Sequence, residues 1–253
     1  MNGPLAGRVC VVTGAAERVG AVLARTFAAA GATVVVDHLG QGAQAAEVVA
    51  SIEADGGRAL AVEADVTDPA TGPRIVELCD RELGRLDILV HNASTFVEAP
   101  FESVTPAQFD RVLAVNLRGP FFLSQAVGAY MRAQGSGTIL GILGNSLYEA
   151  WPDFAAHTVS KVALAKLLQV LAIEYAPVLQ VNGVAPARIL ASPSGQDTRI
   201  AGSRGESQDL DPSGVRLARG SAEQLADFLV QLCLAPPVLN GAIIPLDGGK
   251  SVL

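Results

Sequence analysis

The sequence predicts an α/β protein: a single doubly wound domain over residues 1–253, with a seven-stranded parallel sheet and helices on both faces. Three observations carry that expectation. Short β-rich runs alternate with stretches long enough for a crossover helix. The runs are continuously apolar rather than alternating in polarity, as strands covered on both faces are. The first run also leads directly into a glycine turn and an amphipathic stretch, the order strand, tight turn, helix.

The first strand, Val9 to Val12, is followed by Thr13-Gly14-Ala15-Ala16-Glu17-Arg18-Val19-Gly20 and the helical stripe Val19, Val22, Leu23 and Phe27. Such a turn aims backbone N–H groups and the positive end of a helix dipole at one point, which suits a pyrophosphate. Glycine turns also join strands to helices for structural reasons alone. A second strand, Thr33 to Val36, ends at Asp37, 17 residues beyond Gly20, where a carboxylate can bond the ribose hydroxyls of an adenosine. No Lys or Arg occurs from Asp37 to Gly57 and Glu17 adds a negative charge, so NAD(H) is favoured over NADP(H).

The third strand, Ala59 to Val62, precedes Asp65-Val66, which either holds the adenine edge or forms a turn before Pro69. After the fourth, Asp87 to Val90, His91-Asn92-Ala93-Ser94 offers small residues for close approach to a dinucleotide, or a plain strand-end turn. Thr105, Pro106 and Gln108 supply an N-cap, a first-turn proline and a capping-box partner, so a long helix is expected from there toward Met131. Strands at Thr138 to Ile142, Val181 to Val184 and Ala242 to Leu246 complete the sheet. Residues 192–220, rich in Ser, Gly, Asp and Arg, follow the sixth strand at a carboxyl edge and read as a substrate lid or as a surface insertion.

Composition narrows the function classes. The net charge of −7 disfavours a nucleic-acid surface. Cys10, Cys79 and Cys233 lie in apolar stretches without metal or disulfide spacing and read as reduced core residues. No uninterrupted apolar run reaches the roughly 18 residues of a membrane span, and the N-terminus lacks a signal pattern. A cytoplasmic enzyme with a small-molecule substrate, no bound metal and no membrane or nucleic-acid partner is expected.

The turn at 13–20, Asp65-Val66, Asn92-Ala93-Ser94, Val115-Asn116-Leu117, Val181-Asn182-Gly183-Val184-Ala185-Pro186 and Asp247-Gly248-Gly249 resemble, in order and spacing, the short-chain dehydrogenase/reductase family over essentially the whole chain. The resemblance implies a Rossmann-like domain, a homotetramer or homodimer, and cofactor contacts from Gly14, Arg18, Val19, Gly20, Asp37, Asp65, Val66, Asn92, Ala93, Lys161, Pro186 and Ile189. Within the family, Arg18 in place of a glycine and Ser94-Thr95-Phe96 after the Asn-Ala pair look most like the pteridine reductase type. That likeness would put Arg18, Ser94 and Phe96 against a flat heterocycle. The alternatives are a loop anchor for Phe96 and a pyrophosphate counter-charge for Arg18.

The family's chemistry uses a Tyr, a Lys four residues on, a Ser thirteen residues before the Tyr, and a supporting Asn. Here Asn116 and Lys161 remain, but His157 stands at the Tyr position and Gly144 at the Ser position. Ala187 and Ala191 depart from the pattern as well. An imidazole beside a lysine ammonium is expected to be neutral at pH 7, a poor acid and a fair base. Asn145, Ser146, Tyr148, Glu149, Trp151 and Asp153 lie where a substrate would sit, and Asn145 or Ser146 could fill the vacancy at Gly144. Two readings result. One is a nicotinamide-dependent oxidoreductase in which His157 and Lys161 handle the proton for a small carbonyl or imine, a planar heterocycle among the candidates. The other is a dinucleotide-binding protein that has lost redox chemistry and serves as a cyclase, isomerase, lyase or regulatory partner.

Overall fold

The structure, a computed structural model, describes residues 3–186 and 220–252. Ala187, Ile189, Ala191 and residues 192–219 of the expected lid lie outside them. Seven parallel strands form one sheet: β1 (Val9–Val12), β2 (Thr33–His38), β3 (Arg58–Glu63), β4 (Ile88–His91), β5 (Gly137–Ile142), β6 (Leu179–Pro186) and β7 (Ile243–Leu246). Their order is β3-β2-β1-β4-β5-β6-β7. The order reverses between β1 and β4, so the connections leaving these neighbours diverge and open a crevice at their carboxyl ends.

Successive strand residues face opposite sides, and each side is apolar. Cys10, Val12, Val34 and Val36 pack with Leu23 and Phe27 of α1 (Arg18–Ala29), Val48 and Ile52 of α2 (Gly42–Ala54), and Leu225 and Leu229 of α7 (Ala222–Leu232). Val9, Val11 and Val35 pack on the other side with Ile75 and Cys79 of α3 (Thr71–Leu83), Val127 and Met131 of α5 (Gly119–Gln134), and Leu164 and Leu168 of α6 (Ala155–Glu174). This is why the strands read as unbroken apolar runs. All three cysteines are buried and unbridged.

The helix expected from Thr105 begins as predicted. The Thr105 hydroxyl accepts Gln108 N–H at 3.3 Å, and Gln108 accepts Thr105 N–H at 2.9 Å. It is not one continuous α-helix: α4 (Pro106–Leu113) passes through a π-helical turn, Ala114–Arg118, before α5. A widened turn of this kind re-aims a side chain, and Asn116 lies in it. Among the described helices, α6 combines 20 residues with a mean hydropathy of 1.3. One face of it lies on the sheet around the buried Lys161, while Val159, Val162, Val170 and Ile173 form an exposed stripe along another, interrupted by the bonded pair Lys166 and Gln169.

Candidate active site

The glycine turn is shaped by backbone contact at the crevice. Gly14 has φ +60°, and a Cβ there would fall 3.2 Å from the Cα of Ala93. At Gly20 a Cβ would fall 2.1 Å from the Gly14 carbonyl oxygen and 2.7 Å from Asn92 Nδ2, so α1 presses directly on the turn. Asn92 Nδ2 donates to the carbonyls of Thr13 (2.8 Å) and Gly14 (3.0 Å), while the Thr13 hydroxyl accepts the N–H groups of Asn92 and Ala93 at 3.0 Å. These bonds tie the tips of β1 and β4 together beneath the first, unpaired N–H groups of α1. Val19, half-buried in the first turn of α1, packs on the core, and Arg18 opens the helix at φ +52°, a left-handed conformation costly for any residue with a side chain.

Asp37, 1% exposed, accepts Gly14 N–H at 3.1 Å through Oδ2, and its Oδ1 is buried without a partner. Burial pushes its carboxyl up to about 7. The cradle that a Cβ would fill and this unpartnered carboxylate oxygen fit the pyrophosphate and a ribose hydroxyl of a dinucleotide. Asp65 closes a turn, its Oδ1 accepting both the N–H and the hydroxyl of Thr67 at 2.8 Å, and half-buried Val66 brings its carbonyl against the start of α5. Pro186 ends β6 at the same edge.

The π-turn points Asn116 into a polar knot. Asn116 Oδ1 accepts Thr95 N–H (2.8 Å) and the Ser94 hydroxyl (3.2 Å), and Nδ2 donates to the Thr95 carbonyl (2.8 Å) and Ser160 Oγ (3.0 Å). Ser160 Oγ donates in turn to the His157 carbonyl at 2.7 Å. His157 places Nδ1 3.4 Å from the Thr95 carbonyl and 3.5 Å from Asn116 Nδ2. Both amide hydrogens of Asn116 are committed at shorter distances, so Nδ1 is assigned as the N–H that donates to Thr95, leaving Nε2 a lone pair. Burial first, and the Lys161 charge second, hold the imidazole down at about 4. Lys161 is buried, donates from Nζ to the Ile142 carbonyl at 2.8 Å, and is lowered by burial to about 8.

Aromatic groups wall the imidazole. Trp151 lies nearly parallel to it, 9° between planes and 6.3 Å between centroids, and Phe96 meets it edge-on at 6.3 Å. Phe96 also leans on the buried ring of Phe154, 5.8 Å away. Gly144 is extended, φ −172°, and among the described residues a Cβ there would meet only Ser146 Oγ, at 3.8 Å. No hydroxyl has shifted onto residue 144 itself, but Asn145 and Ser146 are buried beside it. Tyr148 is exposed, and partial burial together with the Asp247 charge raises its phenol.

The structure therefore brings Ser94, Phe96, Asn116, Trp151, His157 and Lys161 together around the imidazole. It adds Phe154, Ser160 and Lys250. Ser160 had a readable signal, three residues after His157 on the same helix face. Phe154 and Lys250 had none, because both arrive through tertiary contact.

A family model for short chain dehydrogenases matches residues 8–200. D-threitol dehydrogenase of Mycolicibacterium smegmatis is 32% identical over 98% of this chain and 94% of its own. A dehydrogenase/reductase structure from Sinorhizobium meliloti superposes with a TM-score of 0.84 at 32% identity, covering 97% of this chain and 95% of that one. A structure from Beutenbergia cavernae, assigned as an NAD(P)-dependent gluconate 5-dehydrogenase and holding NADP at low occupancy, gives 0.86 at 31% identity over 98% of both chains.

Proposed function

Because the chain belongs to the short-chain dehydrogenase family of NAD(P)-dependent oxidoreductases, we propose that it keeps the family's hydride chemistry but runs the proton through His157 in place of a tyrosine. The observation that carries this is the commitment of both Asn116 amide hydrogens elsewhere, which leaves His157 Nε2 an unprotonated acceptor inside the cleft. When bound, the nicotinamide supplies the acceptor or donor of hydride. Gly14, Arg18, Val19, Gly20, Asn92, Ala93 and Pro186 would hold the dinucleotide along the crevice, with Asp37 on a ribose hydroxyl and Lys161 on the nicotinamide ribose. Asp37 and the lack of cations after it favour NAD(H).

His157 Nε2 takes the proton of a substrate hydroxyl or amine while hydride leaves the adjacent carbon, giving the carbonyl or imine. The neighbouring Lys161 charge opposes the imidazolium that forms, so the proton passes on readily. Phe96 and Trp151 exclude water and favour a small, flat substrate of the heterocyclic kind, with Arg18 and Ser94 at its polar edge. A second copy of the chain is proposed to cover the Val159–Ile173 stripe, whose spacing suits a self-complementary helix pairing about a twofold axis.

The test is NAD⁺ or NADP⁺ reduction followed at the reduced-nicotinamide absorbance with a panel of cyclic secondary alcohols and amines. His157→Gln is expected to lower turnover by about 10²–10⁴ with dinucleotide affinity unchanged. Saturable dinucleotide binding without turnover on any member would favour a protein that has left redox chemistry.

A further inference from the structure

Directly after Gly144, Asn145 and Ser146 each carry a buried polar atom with no partner among the described residues, as does Thr158 beside His157. Both residues are buried, 1% and 2% exposed. Asn145 Nδ2 donates to Glu149 Oε1, while Glu149 Oε2 accepts Trp151 Nε1 at 3.1 Å and Lys250 Nζ at 3.0 Å. A carboxylate engaged by a lysine has no hydrogen to give, so Asn145 must turn its NH₂ toward Glu149. Its Oδ1 then faces away and finds no partner. Ser146 Oγ has none among the described residues either, and it lies 3.8 Å from where a Cβ of residue 144 would stand. Native interiors seldom leave two neighbouring polar groups unmatched unless a water, an ion or a ligand supplies the partners.

We propose that Asn145 Oδ1 and Ser146 Oγ together read the edge of the substrate, and that this edge is a ring lactam whose N–H meets Asn145 and whose carbonyl meets Ser146. The proposal rests on the reading of the His157 cleft as a site for a flat substrate. It follows from the chemistry of the two atoms: a fixed acceptor demands a donor, and a hydroxyl beside it can donate to the adjoining carbonyl. The bare Cα of Gly144 gives the ring its room. Glu149 and Lys250 are positioning residues. Lys250 is held in turn by the C-terminal turn, in which the Asp247 carboxylate accepts Gly249 N–H at 2.9 Å and Ser251 N–H at 2.7 Å.

The experiment is calorimetric titration of 2-quinolone and of coumarin, which has a ring oxygen where 2-quinolone has its N–H, into the protein with and without saturating NAD⁺. Wild type is expected to bind 2-quinolone about 10-fold or more tighter than coumarin. Asn145→Ala should bring the two within about 2-fold, and Ser146→Ala should weaken both while keeping their ratio. Glu149→Gln is isosteric and lets the Asn145 amide rotate, so the preference should shrink or invert, a result that general loosening of the loop would not give. Equal binding of the two probes by wild type, binding of neither, or a ratio that survives Asn145→Ala in a folded protein would overturn the proposal. Dinucleotide binding is titrated separately. Its loss with the ratio intact would sink the oxidoreductase reading alone, and its retention with equal probe binding would sink the lactam alone.

Discussion

Restoring the two groups that the family's reaction uses, Gly144→Ser with His157→Tyr, is expected to raise ketone reduction by at least about 10². The backbone at 144 is extended, with φ −172° and ψ 161°, so a serine meets no conformational penalty. Its Cβ would touch nothing closer than Ser146 Oγ at 3.8 Å, and the stability change should stay within about 0.5 kcal/mol. A donor to the developing oxyanion is worth about 10²–10³ and a positioned acid about 10²–10⁴. The two act as a unit, so the gains do not multiply in full, and Gly144→Ser alone should give less than about 10-fold because the neutral imidazole offers no proton. The phenol would stand between Trp151 and Phe96, four residues before Lys161, whose charge would lower its pKa. The assay is loss of reduced-nicotinamide absorbance with a small cyclic ketone, alongside the melting temperature. A folded, dinucleotide-binding double variant no faster than wild type would refute the claim that the proton path runs through residue 157.

Further outcomes follow from the same geometry. Oxidation by the wild type should fall as pH drops through about 4, where His157 gains its proton, and rise again above about 8, where Lys161 loses the charge that depresses the imidazole. A kcat/KM profile from pH 3.5 to 10 checks both limbs, and Lys161→Met should remove the upper one. Asp37→Asn keeps an acceptor for Gly14 N–H while removing the carboxylate charge, so the preference for NAD⁺ over NADP⁺ should fall by about 10-fold, read by dinucleotide titration. Gly20→Ala forces a Cβ to within 2.1 Å of the Gly14 carbonyl and should abolish dinucleotide binding and cost about 1–3 kcal/mol, seen by calorimetry and urea unfolding. Val162→Lys with Ile173→Lys should convert an oligomer into monomers in light scattering, and an unchanged mass would refute pairing through α6.

Much of the frame was legible because its determinants are local. A continuous apolar run such as Val9–Val12 and the glycine turn after it specify strand, turn and helix within some twenty residues. Thr105 and Gln108 likewise announce a helix start by their own spacing, and the structure forms both bonds of that capping box. The π-turn that aims Asn116 was not legible, since one residue more per turn leaves the sequence pattern of α4 and α5 almost unchanged. The turn at Asp65 depends on where the chain puts Thr67, whose N–H and hydroxyl both reach its carboxylate.

The sequence by itself determined the seven strands, the burial of the central ones on both faces and the identities of the departures, His157 and Gly144, because these depend on periodicity and on spacing along one chain. Tertiary structure alone decided what those departures mean. The imidazole's tautomer is set by where Asn116 spends its two hydrogens, and the Asn145 amide is oriented by a carboxylate that Lys250 holds from 101 residues away. Hydrogen bonds are directional and saturable, so the state of a buried polar group depends on every partner packed around it rather than on its neighbours in the chain.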